Sequence, residues 1–357
     1  MLDLQYLSPA FLHGKPYKSP RTSPNDSPES SKKPSPSTSS QDLASPPLAG
    51  GNPRRTLALP PACQNWAHCT VTHDKLVKAL TDPTITSVEA DILMSVVPSP
   101  LSPGTPIMAH PPSRESDLPF SDFLSRCFDP AYVPKHIKLD FKEIEAVEPC
   151  LSILNAKLKS LPHYRGLSSR AVFVNADVLP GPGRRGTPAT VDADRFVQAC
   201  LAYDPVPFFS LSWTAHVARV YNSDGYYTPS DIDAMIALCE KYDLQRKAPG
   251  IVFAVSARIV ARHPHTLADL LRRMPNTQLL LWTGTGEPAL MEGYHIAYIV
   301  KYFTEAGLVD RVGFDCMMSK TFTDGLINEA MMVTVNILNR LRGVGIDWKE
   351  RGRIAGL

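Results

Sequence analysis

The chain has 357 residues, of which 43% are hydrophobic and 20% charged, so it is long enough to bury a large core. Its formal net charge of +2 gives no general attraction for nucleic acid. Seven cysteines lie apart without CxxC spacing, which argues against a structural zinc site and a disulfide framework. The start of the chain lacks a signal-peptide pattern, and no stretch approaches the roughly 18 apolar residues of a membrane span. The sequence therefore predicts a cytoplasmic protein without a transmembrane segment.

Residues 1–61 are predicted to form a disordered tail. Residues 8 to 61 are dominated by Ser, Pro, Thr, Asn and Lys, and such a segment buries too little apolar area to offset its chain entropy. The tail contains six Ser-Pro steps, at Ser8, Ser19, Ser23, Ser27, Ser35 and Ser45. These steps predict phosphorylation by a proline-directed kinase, or binding of a phospho-reader. A solvated tail without any switch fits the same composition.

Beyond Pro61, short β-rich runs alternate with helical segments, the pattern expected of a parallel sheet covered by helices. The eight predicted strands are Gln64 to Cys69, Ser87 to Met94, His136 to Phe141, Ala171 to Val178, Phe208 to Trp213, Ile251 to Ala257, Gln278 to Thr283 and Arg311 to Cys316. The predicted helices are Asp74 to Leu80, Glu143 to Leu158, Asp192 to Ala202, Pro229 to Lys241, Leu267 to Met274, Tyr294 to Ala306 and Thr323 to Leu341.

Eight such units predict a single (β/α)8 TIM barrel over residues 62–343, followed by a C-terminal tail over residues 344–357. An open doubly wound sheet is the competing architecture. Its glycine-rich GxGxxG turn does not follow the first predicted strand, which leads into a Thr-Val-Thr-His sequence instead. The barrel is therefore the preferred fold.

Acidic residues recur with a period of two in the second and third predicted strands. Glu89 and Asp91 share one face, and in the next strand Lys138, Asp140 and Lys142 share a face. Three inward carboxylates repel one another in a poorly solvated barrel mouth unless a cation or the lysines neutralise them. An oxygen-only set suits Mg²⁺ or Ca²⁺ better than zinc. The alternative is a Lys/Asp salt-bridge network that closes the barrel without a metal.

Two histidines are candidates for general acid and general base. His68 ends the first predicted strand, and His110 follows an apolar run that breaks at two prolines, so a loop can place its imidazole over the mouth. Two imidazoles flanking a phosphorus centre suit phosphodiester cleavage, because one accepts the proton of the nucleophile and the other protonates the leaving oxygen. Viewed alone, each of these histidines is more often a structural residue.

Further polar and aromatic residues stand near the carboxyl ends of the predicted strands, where barrel enzymes act. The candidate substrate contacts are Lys138, Asn175, Asp177, Ser212, Trp213 and Trp282. The two tryptophans can stack on a substrate or cap the core, and capping is the commoner outcome for a lone aromatic residue.

Six short motifs follow one another along the predicted barrel: Trp66-Ala-His68, Glu89-Ala-Asp91, Lys138-Leu-Asp-Phe-Lys142, Asn175-Ala-Asp-Val-Leu-Pro-Gly-Pro182, Ser210-Leu-Ser-Trp213 and Leu281-Trp-Thr-Gly284. Their number, order and spacing resemble the menorin-like domain family, which is similar to the phospholipase C-like phosphodiesterase barrels. The resemblance implies that His68 and His110 form an acid/base pair. It also implies that Glu89, Asp91 and Asp140 bind a metal and that Lys142 contacts a phosphate.

The chain departs from the family pattern after the first histidine, where Cys69, Thr70 and Val71 replace an Ala-Val-Asn type sequence. A polar substrate contact is therefore missing there or comes from Thr70 or Thr72.

The predicted function is that of a metal-dependent phosphodiesterase, a phosphoric diester hydrolase or lyase, acting on a small-molecule or lipid-headgroup phosphodiester. The alternative is a non-catalytic interaction protein that keeps the barrel as a scaffold and the phosphorylatable tail as its regulated arm. A Schiff-base mechanism through Lys138 or Lys142 is disfavoured, because Asp140 lies between the two lysines.

Overall fold

The structure is a computed structural model that describes residues 59–62, 64–96, 104–161, 170–183, 188–215, 225–284 and 293–316. All of these residues fall within one compact unit. The predicted phosphorylation sites, the predicted helix from Thr323 to Leu341 and the tail over residues 344–357 lie outside the described residues.

A single sheet forms the centre of the fold. Its strands are β1 (Trp66–Ala67), β2 (Ser87–Met94), β3 (Pro106–Met108), β4 (His136–Phe141), β5 (Val172–Pro180), β6 (Phe208–Thr214), β7 (Ile251–Ser256), β8 (Thr277–Trp282) and β9 (Val312–Asp315). All are parallel neighbours in the order β1-β2-β4-β5-β6-β7-β8-β9, except that β3 pairs with β2 in the antiparallel direction. The eight predicted strands are confirmed. Strand β3 was not predicted, because it is three residues long and begins at a proline.

Helices cover the outer face of the sheet. In the described part of the chain they are α1 (His73–Thr81), α2 (Phe120–Cys127), α3 (Val147–Ser160), α4 (Ala193–Leu201), α5 (Pro229–Lys241), α6 (Leu244–Lys247), α7 (Ala257–Val260), α8 (Pro264–Arg273) and α9 (Gly293–Glu305). None of these helices is long and apolar enough to span a membrane. Helix α5 begins at a capping box in which the side chains of Thr228 and Asp231 accept each other's backbone N–H groups.

The period of two in each strand divides the side chains between two cores. Residues such as Leu139, Phe141 and Leu211 face the helices and form the outer core. The alternate positions face the barrel interior. At the amino ends of the strands these inward residues form a smaller apolar cluster, called here the lower core, of Ala171, Phe173, Phe208, Val252 and Leu280.

The barrel is nearly closed between β9 and β1, the two ends of the strand order. Residues 59–62 occupy this region at the lower end: Leu59 packs on the lower core, and Gln278 Nε2 donates to Pro60 O at 2.9 Å. A side chain at Gly313 would not fit, because its Cβ would lie 2.1 Å from Ala62 O. Leu59 and the backbone carbonyls of Pro60 and Pro61 therefore contact the barrel, within the segment predicted as a tail.

Candidate active site at the carboxyl ends of the strands

Three buried carboxylates converge in the upper part of the barrel interior. Glu89 and Asp91 lie on β2, and Asp140 lies on β4 in register with Asp91. Their residues are 1%, 2% and 8% exposed. One oxygen of each lies within 4.8 Å of one oxygen of the other two. The structure therefore brings together the three residues that the sequence predicted as metal ligands.

Two oxygens of this cluster are buried without a hydrogen-bond partner among the described residues, namely Glu89 Oε1 and Asp91 Oδ2. Glu89 Oε2 differs, because it accepts the backbone N–H of Cys69 at 2.8 Å. Cys69 has a positive φ of 55°, which turns the chain after β1 and directs this N–H towards Glu89. Buried acceptors without donors are unfavourable, and carboxylate oxygens are what hard divalent cations bind. The donor set therefore fits Mg²⁺ or Ca²⁺.

Lys142 bridges two of the carboxylates. Its Nζ lies 2.8 Å from Asp91 Oδ1 and 2.8 Å from Asp140 Oδ2. Burial lowers the pKa of the Lys142 ammonium, but Asp140 and Asp91 outweigh burial and raise the pKa well above its ordinary value. For Asp140, burial raises the pKa, and the ammonium groups of Lys142 and Lys138 more than reverse this effect. Both partners are therefore charged at neutral pH.

Lys138 is placed at the level of Glu89, one inward position below Asp91 and Asp140. It is 3% exposed and borders a small cavity together with Ser210 and Gln278. Burial lowers the pKa of Lys138, whereas Glu89, Asp140 and other nearby carboxylates raise it, and the net shift is upward. Lys138 thus supplies a positive charge beside Glu89 and below Asp91 and Asp140.

His68 lies between two carboxylates at the end of β1. Its Nδ1 is 2.9 Å from Asp315 Oδ2 and 3.4 Å from Glu89 Oε2. Burial lowers the pKa of His68, but Glu89 and Asp315 outweigh burial and raise it to about 9. Since both neighbours of Nδ1 are acceptors, we assign the proton to Nδ1, which leaves Nε2 for exchange with a substrate.

His110 lies on the loop that follows β3, with an exposed side chain whose Nδ1 is 2.7 Å from Pro111 O. The preceding residue, Ala109, donates its backbone N–H to Asp91 O at 3.0 Å, so the loop begins beside the carboxylate cluster. A salt bridge of 2.9 Å between Arg114 and Glu143 joins the same loop to the end of β4. The structure brings the His110 backbone to the cluster and leaves its imidazole on the solvent side.

A polar network extends from the cluster to β5 and β6. Asn175 Nδ2 donates to Asp140 Oδ1 at 2.8 Å, and Ser210 Oγ donates to Asn175 Oδ1 at 2.6 Å. Ser212 Oγ donates to Asp177 Oδ1. Burial raises the pKa of Asp177 despite the nearby Lys142. The predicted residues Asn175, Asp177 and Ser212 therefore lie together, and Asn175 fixes the orientation of Asp140.

Comparison with known proteins identifies the family. Residues 64–308 match the Menorin N-terminal domain. The chain belongs to this family. It is 30% identical over 240 residues to the human Protein FAM151B, a similarity that covers 67% of this chain and 78% of that protein. The predicted menorin-like family is confirmed.

Two solved structures are distantly similar to this chain. One is a glycerophosphodiester phosphodiesterase from Parabacteroides distasonis, with 7% identity and a TM-score of 0.39 over 77% of this chain and 99% of that chain. The other is the catalytic domain of a family GH18 chitinase from the fern Peteris ryukyuensis, with 11% identity and a TM-score of 0.26 over 56% and 90% of the respective chains. These similarities concern the fold alone.

The two predicted tryptophans have different places in this menorin-family barrel. Trp282 is half-buried at the end of β8, on the inward face with Leu280. Trp213 is 1% exposed and packs in the outer core, with its ring 5.3 Å from that of Tyr227. Since Ser212 points inward, the period of two directs Trp213 towards the helices. Trp213 therefore occupies a core position, whereas Trp282 borders the mouth.

One acidic residue of the candidate site was not predicted from the sequence. Asp315 ends β9 and is in register with Trp282, and it contacts His68 across the gap between β9 and β1. The available signal was its inward position at the carboxyl end of the eighth predicted strand. Its partner His68 is 247 positions away in the chain, so only the closure of the barrel reveals the pair.

Proposed function

We propose that this menorin-family protein is a metal-dependent phosphodiesterase for a small-molecule or lipid-headgroup phosphodiester. One observation carries the proposal: Glu89 Oε1 and Asp91 Oδ2 are buried without hydrogen-bond partners among the described residues, next to a histidine that two carboxylates hold in place. A scaffold has no need for unpaired buried carboxylate oxygens, because they destabilise the fold.

Glu89, Asp91 and Asp140 would hold Mg²⁺ or Ca²⁺, which would supply positive charge against the phosphoryl oxygens. Asn175 holds the Asp140 carboxylate at 2.8 Å, so its direction is fixed before a cation or substrate binds. Lys138, in register with Glu89, offsets part of the negative charge. Lys142 contacts Asp91 and Asp140 from the side of the mouth, where it can contact a phosphate oxygen.

The two histidines exchange protons with the substrate. His68 keeps its Nδ1 proton against Asp315, so Nε2 is the atom that gives or takes a proton at the mouth. Asp315 is a positioning residue in this scheme, because it acts through His68. The exposed His110 serves the opposite side of the phosphorus centre. Asp177, Ser212 and Trp282 then contact the alcohol groups of the substrate.

The attacking oxygen comes from water or from a hydroxyl of the substrate. Water attack breaks one P–O bond and yields a phosphomonoester and an alcohol. Attack by a neighbouring substrate hydroxyl yields a cyclic phosphate and the same alcohol. In both cases one histidine accepts the proton of the attacking oxygen and the other protonates the leaving oxygen.

A second candidate function is a non-catalytic interaction scaffold. The salt bridges from Lys142 to Asp91 and Asp140 favour this candidate, because the ammonium neutralises part of the negative charge of the acidic cluster. Under this hypothesis the mouth binds no divalent cation, and the barrel presents surfaces to protein partners.

A substrate screen separates the two candidates. Glycerophosphodiesters, lysophospholipids and cyclic nucleotides would be incubated with the wild type in Mg²⁺ and in EDTA, and products followed by ³¹P NMR. We expect Mg²⁺-dependent turnover that His68→Ala slows by about 10² to 10⁴ and that His265→Ala, a change on the exposed side of α8, retains. Wild-type turnover in His68→Ala would remove His68 from the proposed chemistry, and the absence of turnover together with the absence of Mg²⁺ binding would favour the scaffold.

A further inference from the structure

We infer that Lys142 competes with the divalent cation for the carboxylates of Asp91 and Asp140, and thereby sets the affinity of the cation site. The inference rests on the proposed function, because it assumes that the cluster binds a cation. It concerns a residue that the family resemblance assigns only to the phosphate.

The partners of each carboxylate oxygen give the reason. Asp140 has both oxygens engaged, Oδ1 by the Asn175 amide and Oδ2 by the Lys142 ammonium, each at 2.8 Å. Asp91 Oδ1 also contacts the Lys142 ammonium, at 2.8 Å. Within the described part of the chain, the unpartnered oxygens of the cluster therefore belong to Glu89 and Asp91. Asp140 can join them as a ligand only by sharing or releasing an oxygen.

The two partners of Asp140 are not equivalent. The Asn175 amide is neutral, and a carboxylate oxygen has two acceptor positions, so this hydrogen bond is compatible with a cation on the same oxygen. The Lys142 ammonium carries a full charge, and a dication sharing Asp91 and Asp140 with it would be strongly repelled. The cation and the ammonium therefore exclude each other at these two carboxylates.

The geometry of Lys142 allows it to leave. Its side chain is 24% exposed, whereas those of Asp91 and Asp140 are 3% and 12% exposed. A lysine has a flexible four-carbon stem, so the ammonium can move towards the mouth without displacement of the strand. Lys142 N remains fixed at 3.1 Å from Ile92 O, which keeps the stem anchored beside the cluster.

A consequence for the substrate follows from this exchange. When the cation takes the oxygens of Asp91 and Asp140, Lys142 is released to the mouth and its charge becomes available to an anion. Cation and anion should therefore bind with positive coupling, and by linkage the factor is the same in either order of addition. Inorganic phosphate is a suitable probe for the anion.

The test measures cation affinity rather than turnover. Mg²⁺ would be titrated by calorimetry into the wild type, Lys142→Met and Lys142→Gln, with melting curves for each protein. We expect Mg²⁺ to bind Lys142→Met about tenfold more tightly or better, because removal of one like charge next to the site is worth at least that factor. Lys75→Met is the matched control: its ammonium contacts Cys69 O at 3.2 Å, near the mouth, and should leave the affinity unchanged.

The coupling is measured in the same proteins by titration of phosphate with and without Mg²⁺. Coupling should be larger in the wild type than in Lys142→Met, where only the direct attraction between the cation and the phosphate remains. Equal or weaker Mg²⁺ binding by both Lys142 variants would overturn the inference while leaving a metal-dependent enzyme intact. Failure of every protein to bind Mg²⁺ would overturn the inference and the metal site together. If Lys142→Met unfolds without Mg²⁺ and folds with it, the competition is supported, because the dication then replaces the missing ammonium.

Discussion

The lower part of the barrel interior is mainly apolar and contains a small cavity, whereas the upper part, built by the same strands, is charged. From the amino end to the carboxyl end of β5, the inward residues are Phe173, Asn175 and Asp177. In β8, Leu280 is followed on the inward face by Trp282. The lower part packs on Leu59 and resembles an ordinary core. The upper part holds carboxylates that no apolar packing stabilises.

Along a single strand, the lower inward residues contribute to the stability of the fold, and the upper inward residues form the candidate site. Apolar inward residues stabilise the barrel through burial, and acidic inward residues reduce stability unless they are paired. In barrel enzymes the upper end carries function and the lower end carries stability. Substitutions two or four residues apart in one strand should therefore have opposite effects on the two properties.

The largest expected effect is on the upper part. His68→Gln should reduce the rate of phosphodiester cleavage by about 10² to 10⁴, the usual contribution of a general acid or base. Its binding of Mg²⁺, measured by calorimetry, should be retained, because all three ligand carboxylates remain. A wild-type kcat in His68→Gln would show that His68 takes no part in the chemistry. It would also contradict the assignment of catalysis to the upper part of the barrel.

The next effect is on the lower part. Phe173→Ala should destabilise the fold by about 3 to 5 kcal/mol, because it leaves a cavity where Phe173 packs on Phe208 and Trp66. Urea unfolding measures this loss, and Phe173→Leu is the milder control. The folded fraction should bind Mg²⁺ with unchanged affinity. Loss of Mg²⁺ binding in the folded protein would show that the two parts are not independent.

The sequence predicted most of this arrangement because the period of two is visible in each strand. Glu89, Asp91 and Asp140 could be assigned to one face from their spacing alone. Contacts between the first and last strands of the barrel could not be predicted in this way. The contact between Asp315 and His68 is an example. The outward direction of Trp213 could be predicted from the inward direction of Ser212. The sequence nevertheless made Trp213 a candidate substrate contact, because it is an aromatic residue at the end of a strand.

The predicted helices show a similar limit. Helix α2 was missed although Phe120, Phe123 and Leu124 form a buried stripe with helical spacing. Its eight residues follow a proline-rich loop, which masked the pattern. Helix α7 was missed because it starts directly at the end of β7, where the predicted strand extended to Ala257.

A cation should stabilise the upper part to a smaller extent. Mg²⁺ at a hundredfold excess over its Kd should add about 2.7 kcal/mol to the free energy of unfolding, because it binds only the folded protein. Asp91→Asn should abolish this gain, and Asp269→Asn, a change of an exposed carboxylate on α8, should retain it. If millimolar Mg²⁺ and Ca²⁺ leave the wild-type melting curve unchanged, the salt-bridge network becomes the better description of the cluster.

The smallest expected effects come from the segment that fills the lower end. Removal of residues 1–58 should leave the melting temperature nearly unchanged, because the contacts described at this end begin at Leu59. Leu59→Ala should cost about 1 to 2 kcal/mol, less than the 2 to 5 kcal/mol of a fully buried leucine, since Leu59 is only partly buried. Gln278→Leu removes the hydrogen bond to Pro60 O and should cost about 1 kcal/mol. Melting curves of the three proteins give the ranking, and a truncated protein less stable than Leu59→Ala would mean that residues 1–58 also stabilise the barrel.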